Sequence, residues 1–122
     1  LAYEELIGGV LTLKTDHFLM VNGYSNLYWG WGAEDDDMYY RLKAVSLKIT
    51  RPPSFIGRYR MLQHTKREPT AWNKRKKLLH SAAKRYLWDG VSSVKYNVTN
   101  VTAYPLFTHI LVDVGSPPPD SS

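Results

Sequence analysis

The spacing of apolar positions changes several times along the chain, and each change marks an element. Gly8 and Gly9 precede a short apolar alternation over residues 10–13, the pattern of a strand whose entrance admits a close backbone or ligand. Thr15 can cap a helix that begins at Asp16, with His17, Phe18, Met20 and Val21 in its body and a stop at Asn22-Gly23. Met38, Leu42 and Val45 recur at four and then three residues, which predicts an amphipathic helix from Glu34 to about Ala44 with acids in its first turn. Residues 47–50 read as a short strand ended by Arg51-Pro52-Pro53, and residues 58–64 as a half-exposed strand with Met61 in the core and His64 on the surface. Residues 65–73 are polar, contain Pro69 and read as a flexible connection. Leu78, Leu79, Ala82, Ala83, Tyr86 and Leu87 then follow helical spacing among Lys74, Arg75, Lys76, Lys77, Lys84 and Arg85, a basic helix whose cations form a solvated face. Asp89-Gly90 makes a turn and residues 94–98 a strand. Residues 106–114 are the clearest strand, with Leu106, Ile110, Val112 and Val114 sharing one face with Thr108.

One stretch does not follow from folding needs. In Tyr28-Trp29-Gly30-Trp31-Gly32-Ala33-Glu34-Asp35-Asp36-Asp37, two tryptophans alternate with glycines and run into four consecutive carboxylates. Aromatic side chains on a glycine-hinged loop make a platform able to cover a flat, partly apolar ligand such as a sugar ring. Adjacent carboxylates repel one another, and such crowding can push one carboxylate's proton affinity upward, the condition for a general base working near neutral pH. Capping alone would use one or two acids at a helix N-terminus and does not account for four.

Composition narrows the setting. With 43% hydrophobic and 13% aromatic residues in 122, the chain can form one small core, so one domain or part of one is expected. The net charge of +5 would suit nucleic acid, but acids are bunched at 34–37 and bases between 58 and 85, a local segregation that leaves a nucleic-acid partner the weakest reading. The absence of cysteine leaves the redox compartment undecided. Asn97-Val98-Thr99 and Asn100-Val101-Thr102 are two glycosylation acceptor triplets, consistent with a secretory route. No signal peptide or apolar run long enough to span a bilayer is present, and residues 116–122, with three consecutive prolines, read as a disordered tail after a domain portion at 1–115.

The run Phe18-Leu19-Met20-Val21-Asn22-Gly23-Tyr24-Ser25-Asn26, leading into Tyr28-Trp29-Gly30-Trp31-Gly32-Ala33-Glu34-Asp35-Asp36-Asp37, resembles the signature of the metazoan β-1,4-galactosyltransferase family. Gly8-Gly9-Val10, Thr50-Arg51-Pro52, Gly57-Arg58-Tyr59-Arg60-Met61 with His64, Asp89-Gly90 and Tyr104-Pro105-Leu106-Phe107-Thr108 resemble that family in the same order, over essentially residues 1–115. The resemblance implies an α/β chain, the C-terminal part of a GT-A (nucleotide-diphospho-sugar transferase) fold with a mixed sheet and flanking helices. It also implies a Golgi-lumen enzyme of the secretory pathway, a type II membrane protein attached only through an N-terminal anchor outside these residues. The implied reaction is inverting transfer of galactose or N-acetylgalactosamine from a UDP-sugar, in β-1,4 linkage, to a terminal N-acetylglucosamine-type acceptor on glycans.

Position by position, the resemblance makes Asp35 the base that deprotonates the acceptor hydroxyl. It places Tyr3, Glu34, Asp36, Gly32, Arg75 and Leu79 on the acceptor, and Leu6, Gly9 and Trp31 on the donor, with Trp31 as a mobile lid. It makes Met61 and His64 two ligands of a manganese ion, reversing the bland reading of both from the residues alone. Residues three apart on a regular strand point to opposite faces, so the strand must bend after Met61 for both to reach one ion. The third ligand is expected from an Asp-x-Asp motif upstream of Leu1, which these residues lack. On that account the fragment alone is expected to be inactive and, without sheet neighbours, not stably folded. Leu6 stands where galactose-using vertebrate members carry tyrosine, which predicts room for the N-acetyl group of UDP-N-acetylgalactosamine. Lys76 stands where an aromatic is usual, and Ala33 replaces a glycine. A carbohydrate-binding module without catalysis is the alternative function.

Overall fold

The computed structural model describes residues 3–65 and 68–117. In chain order these form α1 (Thr15–Met20), α2 (Glu34–Ala44), a single turn α3 (Ser54–Gly57), α4 (Trp72–Arg85), a 3-10 turn (Val91–Ser93), β1 (Asn97–Ala103) and β2 (Thr108–Asp113). None of these helices is long and apolar enough to cross a membrane.

The core is built around α2. Its acids sit in the first turn and Arg41 and Lys43 in the last, the distribution that complements the helix dipole. Met38, Tyr39 and Leu42 point inward and meet Ile7 and Val21, with Leu11, Leu13, Phe18, Val45, Leu47 and Ile49 packed around them. The helix occupies the span its periodicity predicts.

The strands are another matter. Residues 10–13 and 47–50 form neither helix nor strand; they put Leu11, Leu13, Leu47 and Ile49 against the core, but neither joins a ladder. Alternation states which side of a segment is buried; pairing needs a neighbouring strand, and among the described residues neither has one. Residues 58–64 are not a strand either, and Met61, 86% exposed, is not in the core, because no element packs on this stretch among the described residues. Thr15 is the first helical residue of α1 and not its cap, since the chain is still extended at Lys14. That helix does stop at Asn22 and Gly23, both in the left-handed region.

In the stretch read as a connection, residues 66 and 67 lie outside the described residues, and α4 already begins at Trp72. This helix packs on α2, burying Ala82 with Leu78, Leu79 and Tyr86 half-buried, while Ala83 and Leu87 are exposed. Arg85 is buried, so the solvated basic face is smaller than its spacing suggests.

The only sheet among the described residues is the antiparallel pair β1–β2. The first strand begins at Asn97, later than the predicted 94, and the second is shorter than 106–114. Residues 104–107 form the connecting turn, in which the Tyr104 amide donates to the Phe107 carbonyl at 2.8 Å and the two rings stack at 4.6 Å. Leu106 is therefore on the turn, fully exposed, and not on the strand face. The register shifts between Val98 and Asn100, leaving Thr99 in a bulge with its hydroxyl donating to the Leu111 carbonyl at 3.0 Å. The bulge brings Val98, Val101 and Ala103 opposite Val112, Ile110 and Thr108, while Leu111 pairs with Asn100. Of the predicted tail, residues 118–122 lie outside the described residues.

Candidate active site

The N-terminus of α2 is set by Ala33, which adopts a left-handed conformation (φ 76°) and offers no capping side chain. The four acids that follow do not behave as one cluster. Glu34 is exposed, Asp35 and Asp36 are half-buried, and Asp37 points inward with no exposure. Asp36 accepts a hydrogen bond from the Tyr3 hydroxyl at 2.9 Å. Burial raises the Asp36 carboxyl above the ordinary aspartate value, the charges of Asp35, Glu34 and Glu5 add to this, and the Tyr3 bond opposes it. The same contacts, with desolvation foremost, push the Tyr3 hydroxyl up to about 12, so tyrosine remains the donor of that bond.

Asp37 belongs to a buried quartet. Arg41 Nε donates to Asp37 Oδ1 at 2.6 Å and Arg41 Nη2 to Asp89 Oδ2 at 3.1 Å, while Arg85 pairs with both aspartates. Arg41 Nη1 donates to the carbonyls of Gly23 (3.0 Å) and Asp89 (2.7 Å). The Ser25 hydroxyl (2.6 Å) and the Asn26 amide (2.9 Å) donate to Asp89, and the Tyr28 hydroxyl donates to Asp37 at 2.9 Å. Among the described residues no buried side-chain nitrogen or oxygen lacks a partner. Gly90 is tied to this arrangement, because a Cβ there would collide with the Asn22 carbonyl, which accepts the Val91 amide bond at 2.8 Å. The quartet joins α2, α4 and the segment at 21–28, and so fixes the tryptophan loop and the acids relative to each other.

Sequence reasoning missed this quartet. Its signal was present in the spacing of Asp37 with Arg41 and of Arg85 with Asp89, each four residues apart on a helical path.

The tryptophan loop lies against residues 68–70 and the start of α4. The Trp31 amide donates to the Glu68 carbonyl (3.4 Å), the Thr70 amide to the Trp31 carbonyl (3.1 Å) and the Thr70 hydroxyl to the Trp29 carbonyl (2.6 Å). Gly30 and Gly32 have φ of 100° and 106°, which the flanking tryptophans could adopt only with strain. The Trp31 ring is more than half exposed, and the Arg75 guanidinium sits 6.0 Å from its centroid and 5.3 Å from that of Trp72. Trp31, Gly32 and Arg75 therefore lie together, and a Cβ on Gly32 would stand 2.9 Å from Arg75 Nη1. Leu79 is half-buried one helical turn beyond Arg75.

On the other side of the acids, residues 3–9 run past the first turn of α2. Leu6, Gly8 and Gly9 line a cleft of about 970 Å³ with Ile49, Arg51 and Tyr59. Arg51 Nη2 holds this segment by donating to the carbonyls of Glu4 (2.8 Å) and Leu6 (2.9 Å).

Met61 and His64 are exposed, on an irregular stretch, with His64 Nδ1 3.2 Å from the Thr65 carbonyl oxygen. Among the described residues no group of three or more His, Cys, Asp or Glu could hold a metal ion. A thioether and an imidazole are thus available as donors, but the oxygen ligands that a hard cation prefers are not gathered around them. Asn97 and Asn100 are exposed on the polar face of β1, and Asn100 Nδ2 donates to the Thr102 hydroxyl at 3.1 Å.

A family profile described as "N-terminal domain of galactosyltransferase" matches residues 1–65. β-1,4-Galactosyltransferase 2 of Mus musculus is 43% identical over 122 residues, covering 96% of this chain and 32% of that protein. β-1,4-Galactosyltransferase 1 of Homo sapiens is 40% identical over 119 residues, covering 96% of this chain and 30% of that one. The catalytic domain of Drosophila β-1,4-galactosyltransferase 7, solved with xylobiose, matches with a TM-score of 0.73 and 26% identity over 93% of this chain and 51% of that chain. A mutant of the same Drosophila protein, solved with manganese, UDP-Gal and xylobiose, matches with a TM-score of 0.75 and 25% identity. The chain thus spans about a third of the length of these relatives and about half of the solved domain. Its α/β fold is that of part of a GT-A galactosyltransferase catalytic domain, although the only sheet among the described residues is one hairpin. By its family profile and its relatives, the chain belongs to the β-1,4-galactosyltransferase family.

Proposed function

We propose that residues 1–115 are a portion of the catalytic domain of an inverting transferase that moves galactose from UDP-galactose, in β-1,4 linkage, onto a terminal N-acetylglucosamine-type acceptor. The observation that carries this reading is the division of the acids at the start of α2. Asp37 is committed to buried ion pairs and Asp36 to Tyr3, while the Asp35 carboxylate stands beside the glycine segment that lines the cleft. Asp35 accepts the acceptor hydroxyl's proton as that oxygen attacks the anomeric carbon. The bond from that carbon to the UDP oxygen breaks, and the configuration inverts. Glu34, Asp36, Tyr3, Gly32, Arg75 and Leu79 orient the acceptor, and Trp31 covers the donor, excluding water that would otherwise hydrolyse it.

Met61 and His64 would supply two of the ligands for Mn2+, with the remainder from an upstream Asp-x-Asp; when bound, the ion neutralises the leaving diphosphate. On this reading the 122 residues alone are inactive. The test is transfer by the full-length protein, with UDP-galactose, Mn2+ and an N-acetylglucosamine-terminated acceptor, and linkage determined by NMR. Acceptor binding without product would favour a carbohydrate-binding module instead.

Leu6, at the cleft, leaves more space than tyrosine would, so UDP-N-acetylgalactosamine is expected to serve at least as well as UDP-galactose. Leu6→Tyr should shift kcat/KM toward UDP-galactose. Exclusive use of UDP-galactose by both proteins would rule this out.

The same reading puts the domain in the Golgi lumen, behind an N-terminal anchor. Asn97 and Asn100 are then glycan acceptors on the exposed face of β1. Full-length protein from secretory cells should gain mobility after N-glycosidase treatment, and an Asn97→Gln/Asn100→Gln double variant should not.

A further inference from the structure

The geometry points to Gly8 as the positioning residue of Asp35, an inference that rests on Asp35 being the base of the proposed transfer. A Cβ built on Gly8 would collide with Asp35 Oδ2 and lie 3.2 Å from Asp35 Cγ. The carboxylate occupies the space that any side chain at position 8 would take.

The two adjacent glycines have different reasons to be glycine. Gly9 has φ +93° and open space around its missing Cβ, so its requirement is conformational. Gly8 has no positive φ, so its backbone would accept alanine, and its requirement is the approach of Asp35.

Which side yields to an added methyl follows from how each is held. The backbone at 8 is fixed on its N-terminal side, where Ile7 is buried in the core and Arg51 holds the Glu4 and Leu6 carbonyls. Asp35 offers only the end of a rotatable side chain, with no hydrogen bond or ion pair from that carboxylate among the described residues. The carboxylate swings away and the fold stays. The three heavy atoms nearest the added methyl all belong to Asp35, so that side chain is what the methyl displaces. Gly8 thus sets where the base stands relative to the cleft.

The experiment compares wild type, Gly8→Ala, Asp35→Asn and the double variant in the full-length protein, with UDP-galactose and an N-acetylglucosamine-terminated acceptor. Gly8→Ala should lower kcat by about 10²-fold, the scale of a misplaced reacting group, with the KM for UDP-galactose and the thermal midpoint close to wild type. In the Asp35→Asn background Gly8→Ala should lower the residual rate no further, because its effect passes through that carboxylate. An equal drop in both backgrounds overturns the inference, as does an unchanged kcat or a raised donor KM alone. A Gly8→Ala protein that fails to fold also overturns it, since the backbone would then have taken the clash. If Asp35→Asn itself turns over normally, the base reading fails and takes this one with it; if Asp35→Asn is inactive and Gly8→Ala normal, only the positioning role fails.

Discussion

Arg41→Ala is expected to cost about 3–5 kcal/mol of folding stability, read as a fall in the urea midpoint of the full-length protein. Arg41 is wholly buried, and its guanidinium serves Asp37, Asp89 and the Gly23 and Asp89 carbonyls together. Truncation would leave two buried carboxylates with Arg85 alone to balance them and two carbonyls without their donor. Breaking a buried pair by removing one partner is costly for that reason, whatever the pair itself contributes. Lys77→Ala, on the exposed side of α4, should change stability by no more than about 0.5 kcal/mol.

The quartet also gives the stability a pH dependence. Burial raises the Asp89 carboxyl, but the bonds from Ser25 and the Asn26 amide and the charge of Arg85 outweigh it and hold the group below the ordinary value of 3.8. The folded state therefore binds that proton less readily than the unfolded chain. The contribution of Asp89 is fully present above 3.8 and is lost as pH falls through the lower folded value. A loss from Arg41→Ala smaller than about 1 kcal/mol would mean that water or local rearrangement satisfies these groups, and the quartet would no longer explain how α2, α4 and the tryptophan loop are held together.

What could be read from the chain divides along the same line. Helix α2 was legible because its determinants are local: acids in the first turn, and Met38 and Leu42 one turn apart. The apolar sides of residues 10–13 and 47–50 were legible too, since both do face the core, but their pairing was not, because a ladder depends on a neighbour that no local pattern reports. Arg85 reads from its spacing as one cation of a solvated face, and only the packing of α4 on α2 reveals it as buried; Arg41, likewise buried, carries no local signal of it. The Trp-Gly-Trp-Gly-Ala-Glu-Asp-Asp-Asp stretch stands out as a candidate site through composition alone. Local crowding does not say which of the four acids responds: burial raises the Asp36 carboxyl, and Asp37 is part of the scaffold. In the sequence Gly8 is half of a glycine pair; that it faces Asp35 depends on a contact 27 residues away in sequence.

Asp35→Asn is expected to lower kcat of the full-length protein by about 10²–10⁴-fold, the range for loss of a positioned general base, while stability stays near wild type. Stability is spared because the Asp35 carboxylate carries none of the hydrogen bonds or ion pairs that organise the described residues, in contrast with Asp37 and Asp89. Asparagine keeps the volume beside Gly8, so the lost property is the ability to take a proton, not the packing. KM for UDP-galactose should change little, because Leu6 and Gly9 line the cleft independently of that oxygen. If kcat stays within about tenfold of wild type, the proton goes elsewhere. Asp36 would then be the next candidate, since its proton affinity is already raised by burial, although Tyr3 occupies one of its oxygens. The two acids separate by experiment, because a base acts on kcat at saturating acceptor, whereas a group that only holds the acceptor acts mainly on its KM.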